Sequence, residues 1–412
     1  MINLETPKKF RMLVDQAHQV ARQIFRPNSR RYDRAEHLYP RELDMLGALL
    51  DGMNAGGGGG EGAGAAGVRR SAARSDEGNR NSSNLSTVLG TMELCWGDVG
   101  FLLTMPRQGL GNSAIASVAT DEQLERFKGK WAAMAITEPG CGSDSAAIRT
   151  TARLDGDHYV LNGEKIYVTA GDRADLVVVW ATLDRNLGRA AIKSFVVEKD
   201  TPGFELVRLE HKLGIRASDT AAFVLNDVRV PRENLLGDPE INVTNGSSAG
   251  FAGVMQTFDN TRPLVAAMAV GLARACLEET RKLLEQAGIE LDDDAPAFAQ
   301  HAAASEHRRL ESEYEAARLL TLQAAWMADN RKPNSLQASM AKAKAGRCCV
   351  EIALRCVELA GPLGYAEGEG GHGLLEKWAR DAKILDIFEG TQQIQQLIVA
   401  RRLLGKTSAE LK

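Results

Sequence analysis

The sequence predicts an α+β protein with a helical amino-terminal domain, a middle antiparallel β domain and a carboxy-terminal four-helix bundle. Three observations lead there. Apolar residues recur at three- and four-residue steps near the start of the chain, the period switches to two between residue 131 and about residue 236, and long helical segments return from Gln256 to Leu404. The domain limits read this way are 1–130, 131–240 and 241–412.

Composition narrows the function before any motif is considered. The chain has 412 residues, of which 44% are hydrophobic and 25% charged, so a large core and two or three structural units are expected. A net charge of −4 and a pI near 6.1 supply no basic field for nucleic acid. No apolar run reaches the length of a membrane span, and the chain opens on a charged amphipathic segment with no secretory leader, so no membrane role and a cytoplasmic location are expected. The six cysteines show no C-x-x-C spacing and do not pair with the seven histidines at zinc-site intervals, so no metal is expected and the thiols read as small buried hydrophobes.

Element by element, residues 7–26 carry Phe10, Leu13, Val14, Ala17, Val20, Ala21, Ile24 and Phe25 on one helical stripe, with Pro7 at the start and Pro27 as the expected stop. A second helix is predicted from Pro40 to Leu50. The stretch 52–84 is rich in Gly, Ala, Ser and Asn and nearly free of large apolar residues, which predicts a mobile segment. Its glycines end in no G-K-[ST] and follow no strand, which argues against a phosphate loop. Helices are predicted again at 85–103 and 121–127. Residues 149–171 alternate in polarity around Asp155-Gly156 and Asn162-Gly163, each a preferred hairpin dipeptide. "LVVVWATL", "KSFVVEK", "FELVRL" and "AAFVLNDVRVP" follow as strands. Helical segments at 262–286, 305–329 and 335–359 come next, with breaks at Pro333, Gly361 and the glycine-rich 366–373.

The chemistry concentrates near the end, in "LDIFEGTQQIQ" (385–395). Glu389 lies between Phe388 and Gly390, with the neutral amides Gln392 and Gln393 following where a surface helix would place a balancing cation. A carboxylate beside apolar groups and without a local cation has its pKa raised, which suits a general base; the plainer reading is a glutamate ending a surface helix. No G-x-G-x-x-G follows a strand and opens a helix, and "GCGSDS" (140–145) lacks the third glycine and the helix, so a Rossmann dinucleotide site is not expected.

Five ordered motifs, "AITEPGCGSD" (135–144), "LNGEKIYVTAG" (161–171), "LGIRASDT" (213–220), "FDNTRPLVAAMAVGLA" (258–273) and "RDAKILDIFEGTQQIQQLIVARRLL" (380–404), resemble the acyl-CoA dehydrogenase family. The resemblance covers nearly everything from residue 85 to 404. It implies an FAD enzyme that places a double bond between Cα and Cβ of an acyl-CoA thioester, with electron-transferring flavoprotein as acceptor and a tetrameric assembly. The glutamate of the matching E-G-T motif, Glu389, is then the α-proton base. In some relatives the base stands at the position of Thr261, which cannot serve. The resemblance also implies that Ile136, Thr137, Gly142, Ser143, Tyr167, Thr169, Thr391 and Gln393 meet FAD. Ser143, Asp259, Arg262, Phe388 and Gly390 are implied on the substrate side. Tyr167 stands where the family usually has Trp.

Three departures from the family pattern stand out. The R-x-x-F-G motif, whose arginine reaches the FAD pyrophosphate across a dimer, is replaced by a segment containing the acidic triplet Asp292 to Asp294, with Arg308 or Arg309 as substitutes. "ELAGPLG" (358–364) carries Glu358 where Gln is usual, and the loop that reads P-E-x-x-G-G-x-G in relatives is replaced by residues 52–84. The resemblance implies a homotetramer, and these departures suggest instead a heterotetramer in which a paralogous subunit completes the flavin site, with a non-catalytic or half-site partner subunit as the alternative function.

Overall fold

The computed structural model describes residues 6–47, 80–106, 110–241, 249–292, 294–368, 373–407 and Glu410, with the backbone alone for 249–260. The first stripe forms α1 (Arg11–Val20), passes through a π-helical turn (Ala21–Phe25) and continues as α2 (Arg26–Arg34). Pro27 therefore does not stop the helix. Its ring cannot tolerate a standard carbonyl four residues back, and the widened turn just before it provides the space, while Asn28 Nδ2 donates to the Ile24 carbonyl at 2.9 Å. Residues 42–47 are helical; the rest of the second predicted helix lies outside the described residues, as does most of 52–84.

The end of that low-complexity stretch is firmly placed. The main-chain N–H groups of Ser82, Asn84 and Leu85 donate to the Asp329 carboxylate at 2.7, 2.9 and 3.1 Å, so a residue from the far bundle caps α3 (Ser83–Gly97), where Ser82 itself forms no side-chain cap. Asp98 then breaks the predicted 85–103 helix by accepting from Phe101 N and starting α4 (Val99–Thr104). Beyond it come α5 (Leu110–Val118), which the periodicity did not suggest, and α6 (Asp121–Arg126), opened by a Thr120/Gln123 capping box.

The strands are β1 (Ala132–Ala135), β2 (Thr151–Asp155), β3 (His158–Thr169), β4 (Leu176–Thr182), β5 (Ile192–Glu198), β6 (Phe204–Leu209), β7 (Thr220–Pro231) and β8 (Leu235–Leu236), in the order β6-β7-β3-β2-β4-β5-β8. The sheet is largely antiparallel, but β1 joins β4 in parallel and β2 meets β4 in parallel at Thr151. Every residue of β4 is buried, which explains its unbroken apolar run: one face packs with Phe195 and Phe223, the other with Ala114 and Ile115 of α5.

Asp155-Gly156 turns a hairpin as expected, since Asp155 faces His158. Asn162-Gly163 does not. It lies within β3 at a register shift against β7, with Gly163 at φ 155° and no room for a Cβ, which would lie 2.4 Å from Thr150 Oγ1. The pair forms a bulge, and the Asn162 side chain bonds to Asp227 across the strands.

The last unit comprises α7 (Ala249–Gln286), α8 (Ala302–Asp329), α9 (Ser335–Ala360), α10 (Leu375–Leu385) and α11 (Gln392–Leu404). Small residues let α7 and α9 approach closely: Ala266, Ala269, Ala273, Ala338, Ala341, Ala345 and Cys349 are all buried in one core. All six cysteines are free thiols, five of them buried.

A buried ionic knot fastens α10 to the rest. Lys377 Nζ lies 2.7 Å from Asp98 Oδ2 and 2.5 Å from Asp381 Oδ2, with all three side chains at most 2% exposed. Asp381 Oδ1 also accepts from Ile215 N at 2.6 Å, and Arg380 donates to the Leu213 carbonyl at 2.8 Å. The loop between β6 and β7 is thereby clamped to the helix that leads into Glu389.

Candidate active site

Glu389 is presented by the turn between α10 and α11. That turn begins where Phe388 N closes the last helical turn on Ile384 O, and ends where Thr391 caps α11 by accepting from Ile394 N. Two consecutive residues in it have positive φ: Glu389 at 54° and Gly390 at 91°. For Glu389 the left-handed conformation is strained, at a cost on the order of 1–3 kcal/mol, and is held from below. Gln395, fully buried, donates from Nε2 to the carbonyls of both Glu389 and Gly390 at 3.1 Å. Lys342, also fully buried on α9, donates to the Gly390 carbonyl at 2.8 Å.

The residue is half-buried as a whole, but its Oε2 is sealed from solvent and has no hydrogen-bond partner. Burial raises the carboxyl pKa above its ordinary value; the Thr261 hydroxyl, bonded to the carboxylate, and the charges of Lys342 and Arg262 pull against that rise. Thr261 and Arg262 are 4% and 3% exposed on α7, immediately before Pro263 within the helix. The plain reading of a glutamate ending a surface helix therefore fails. The expectation of no cation nearby is also corrected: none is close in sequence, but two arrive from other helices.

Of the residues expected around a flavin ring, Ile136 and Thr137 follow β1 and are bonded to the end of β3, which carries Tyr167 and Thr169. Ile166 N donates to Thr137 O at 2.9 Å, and Lys165 Nζ reaches Ile136 O at 3.0 Å and Glu138 Oε1 at 2.7 Å. Glu138 in turn accepts from Arg149 N, Thr150 N and Thr150 Oγ1, so the loop carrying Gly142 and Ser143 is fixed on both sides by a buried ion pair. Gly142, Ser143, Tyr167 and Thr169 are exposed, Tyr167 to 63% and at φ 59°. Hydroxyls, open main chain and a bare aromatic face on a rigid support suit a planar ring bordered by heteroatoms, so these residues fit an isoalloxazine.

Thr391 is engaged as the cap of α11, Gln393 is exposed on that helix, Phe388 packs on the bundle core, and the side chain of Asp259 lies outside the described residues. Of the arginines expected to serve a diphosphate, Arg309 is paired with Glu306 and Glu351, and Arg308 bonds to the Ala295 carbonyl. Glu358 is held by Arg355. Lys342 and Gln395 were missed in the sequence; a lysine within the alanine-rich stripe "ASMAKAKAG" was the available sign.

Elsewhere, Glu36, His37 and His211 bring ligand-type atoms within 4.8 Å of one another. Glu36 already accepts from His211, Lys212 N and Arg216, and Lys212 and Arg216 put positive charge beside any incoming cation.

Residues 133–228 match the model of the acyl-CoA dehydrogenase middle domain, and residues 248–404 that of the acyl-CoA dehydrogenase C-terminal domain. A short-chain specific acyl-CoA dehydrogenase of Clostridium acetobutylicum is 34% identical over 337 residues, 79% of this chain and 84% of that protein. The chain belongs to the acyl-CoA dehydrogenase family. The mitochondrial short-chain specific acyl-CoA dehydrogenase of Bos taurus is 39% identical over 270 residues, and this match spans 66% of the chain and 62% of the bovine protein's length. Among solved structures, butyryl-CoA dehydrogenase from Megasphaera elsdenii is 28% identical with a TM-score of 0.80, covering 98% of this chain and all of that one. Helical ends around a central sheet are thus the arrangement of this family. No helix among the described residues is long and apolar enough to cross a membrane.

Proposed function

We propose that the chain catalyses FAD-dependent α,β-dehydrogenation of an acyl-CoA thioester, with Glu389 as the base that removes the α-proton. The observation that carries this reading is the sealed, partnerless Oε2 of a glutamate whose pKa is raised by burial and whose main chain is held in a strained turn. A desolvated carboxylate of raised pKa accepts a proton from a weak carbon acid far better than an exposed one. Developing negative charge on the thioester oxygen would be met by main-chain N–H groups of the 389–391 turn, and Arg262 would serve the CoA side with Asp259. When bound, FAD supplies the acceptor for the β-hydrogen, leaving as hydride. Ile136, Thr137, Gly142, Ser143, Tyr167 and Thr169 would hold its ring, and Thr391 and Gln393 would reach its adenosine part.

The relatives named for short-chain and butyryl-CoA substrates support a short acyl group, and electron-transferring flavoprotein is the proposed acceptor. The units 1–130, 131–240 and 241–412 are the proposed domains. A second reading, a half-site subunit of a heterotetramer, draws support from Arg309: ion pairs with Glu306 and Glu351 occupy this arginine, one of the two expected to substitute for that of the missing R-x-x-F-G motif.

Anaerobic addition of butyryl-CoA to the flavin-loaded chain tests the first reading. Bleaching of the oxidised flavin band is expected, with Glu389→Gln slowing it by roughly 10²–10⁴-fold while leaving the fold intact. Normal bleaching by that variant would remove Glu389 from the role.

A further inference from the structure

Lys342 is a lysine with no accessible surface, one turn of helix inside the α7/α9 core, and its Nζ is aimed at the turn that carries Glu389. Such a burial is costly unless the charge is used. Its direct bond is to the Gly390 carbonyl at 2.8 Å, and Gln395 takes the same carbonyl from the other side. The ionisable groups facing it are Asp386 and Glu389 on the turn and Arg262 on α7. Asp386 Oδ1 is itself buried without a hydrogen-bond partner, so the pocket holds two carboxylates, one lysine and one arginine.

We infer that Lys342 is a positioning residue for Glu389, acting twice: its ammonium grips the Gly390 carbonyl and so fixes the left-handed turn, and its charge sets the proton affinity of the carboxylate. The inference rests on the functional reading above. Burial drives the Glu389 pKa upward; a cation at the back of the turn counters this without touching substrate. Burial lowers the Lys342 pKa to about 8, with Asp386 and Glu389 resisting that fall and Arg262 adding to it. At pH 7 the lysine is therefore still cationic, a charged support behind the carboxylate. The grip and the charge are separable by substitution. Lys342→Gln keeps a donor and loses the charge, Lys342→Met loses both, and Lys342→Arg keeps the charge with a different shape.

The test reads the Glu389 carboxyl directly by ¹³C NMR of the glutamate-labelled chain, assigned with Glu389→Gln, beside the pH profile of kcat/KM with butyryl-CoA. In both Lys342→Gln and Lys342→Met the carboxyl midpoint and the acid limb of the profile should move up by on the order of one pH unit. Lys342→Arg should restore most of that shift. The plateau of kcat should fall in Lys342→Met and hold in Lys342→Gln, with KM changing less than twofold in either. A carboxyl midpoint unchanged in Lys342→Gln would overturn the inference whatever the activity. Loss of folding in Lys342→Met alone leaves the Gln variant to decide. A moved midpoint in a chain that never oxidises acyl-CoA would sink the dehydrogenase reading and leave the coupling standing.

Discussion

Lys377→Met strips the shared cation from two buried carboxylates. Lys377 Nζ bridges Asp98 and Asp381 at 2.7 and 2.5 Å, and those side chains are 1% and 0% exposed, so the variant leaves two like charges in a dry pocket. Removing one partner of a buried ion pair costs about 3–5 kcal/mol, and the methionine side chain recovers little of it because its volume is similar but its dipole is not. The loss should depend on pH in a defined direction. In the parent, the Lys377 pKa is raised by its carboxylate partners despite burial, so the stability it contributes is fully present below the ordinary lysine value and constant between pH 5 and 8. In the variant, Asp381, already raised by burial, loses the lysine that opposed that rise. A carboxyl raised in the folded state destabilises above its unfolded pKa, near 4, with about 1.4 kcal/mol accumulating per pH unit until its folded pKa is passed. The deficit should therefore be larger at pH 8 than at pH 5. Urea unfolding followed by tryptophan fluorescence, with Trp378 beside the knot, reads both. A deficit under about 1 kcal/mol, or one equal at the two pH values, would refute the account.

Two further substitutions probe the site and its scaffold. Thr261→Val removes the hydroxyl that holds the Glu389 carboxylate, so the Glu389 pKa should climb and the acid limb of kcat/KM shift upward, with no change in thermal stability beyond about 1 kcal/mol; an unmoved limb would show that hydroxyl to be idle. Gly163→Ala drives a Cβ to 2.4 Å from Thr150 Oγ1 at a backbone φ that L-residues avoid, and should cost about 1–3 kcal/mol in the melting of the sheet, measured by circular dichroism.

Much of the architecture could be read from residue spacing because burial imposes it. The apolar run of β4, buried on both faces, and the alanine stripes of α7 and α9 carry their environment in their composition. Local dipeptide rules failed where tertiary contacts outvoted them: Asn162-Gly163 became a bulge because β3 continues across two partners, and Pro27 stayed helical because the turn before it widened. In the site, Glu389 was conspicuous through the neutral residues around it. Lys342, Thr261 and Arg262 lie far from it in sequence, and no spacing rule joins a turn to positions on two separate helices.

Asp329 makes the start of α3 depend on the far bundle. Its carboxylate seats the first N–H groups of that helix, while His18 of α1 pairs with Glu93 further along it, so α3 is held from both sides. A change in α8 at Asp329 would therefore be felt where α3 begins, although the two positions lie far apart in the chain.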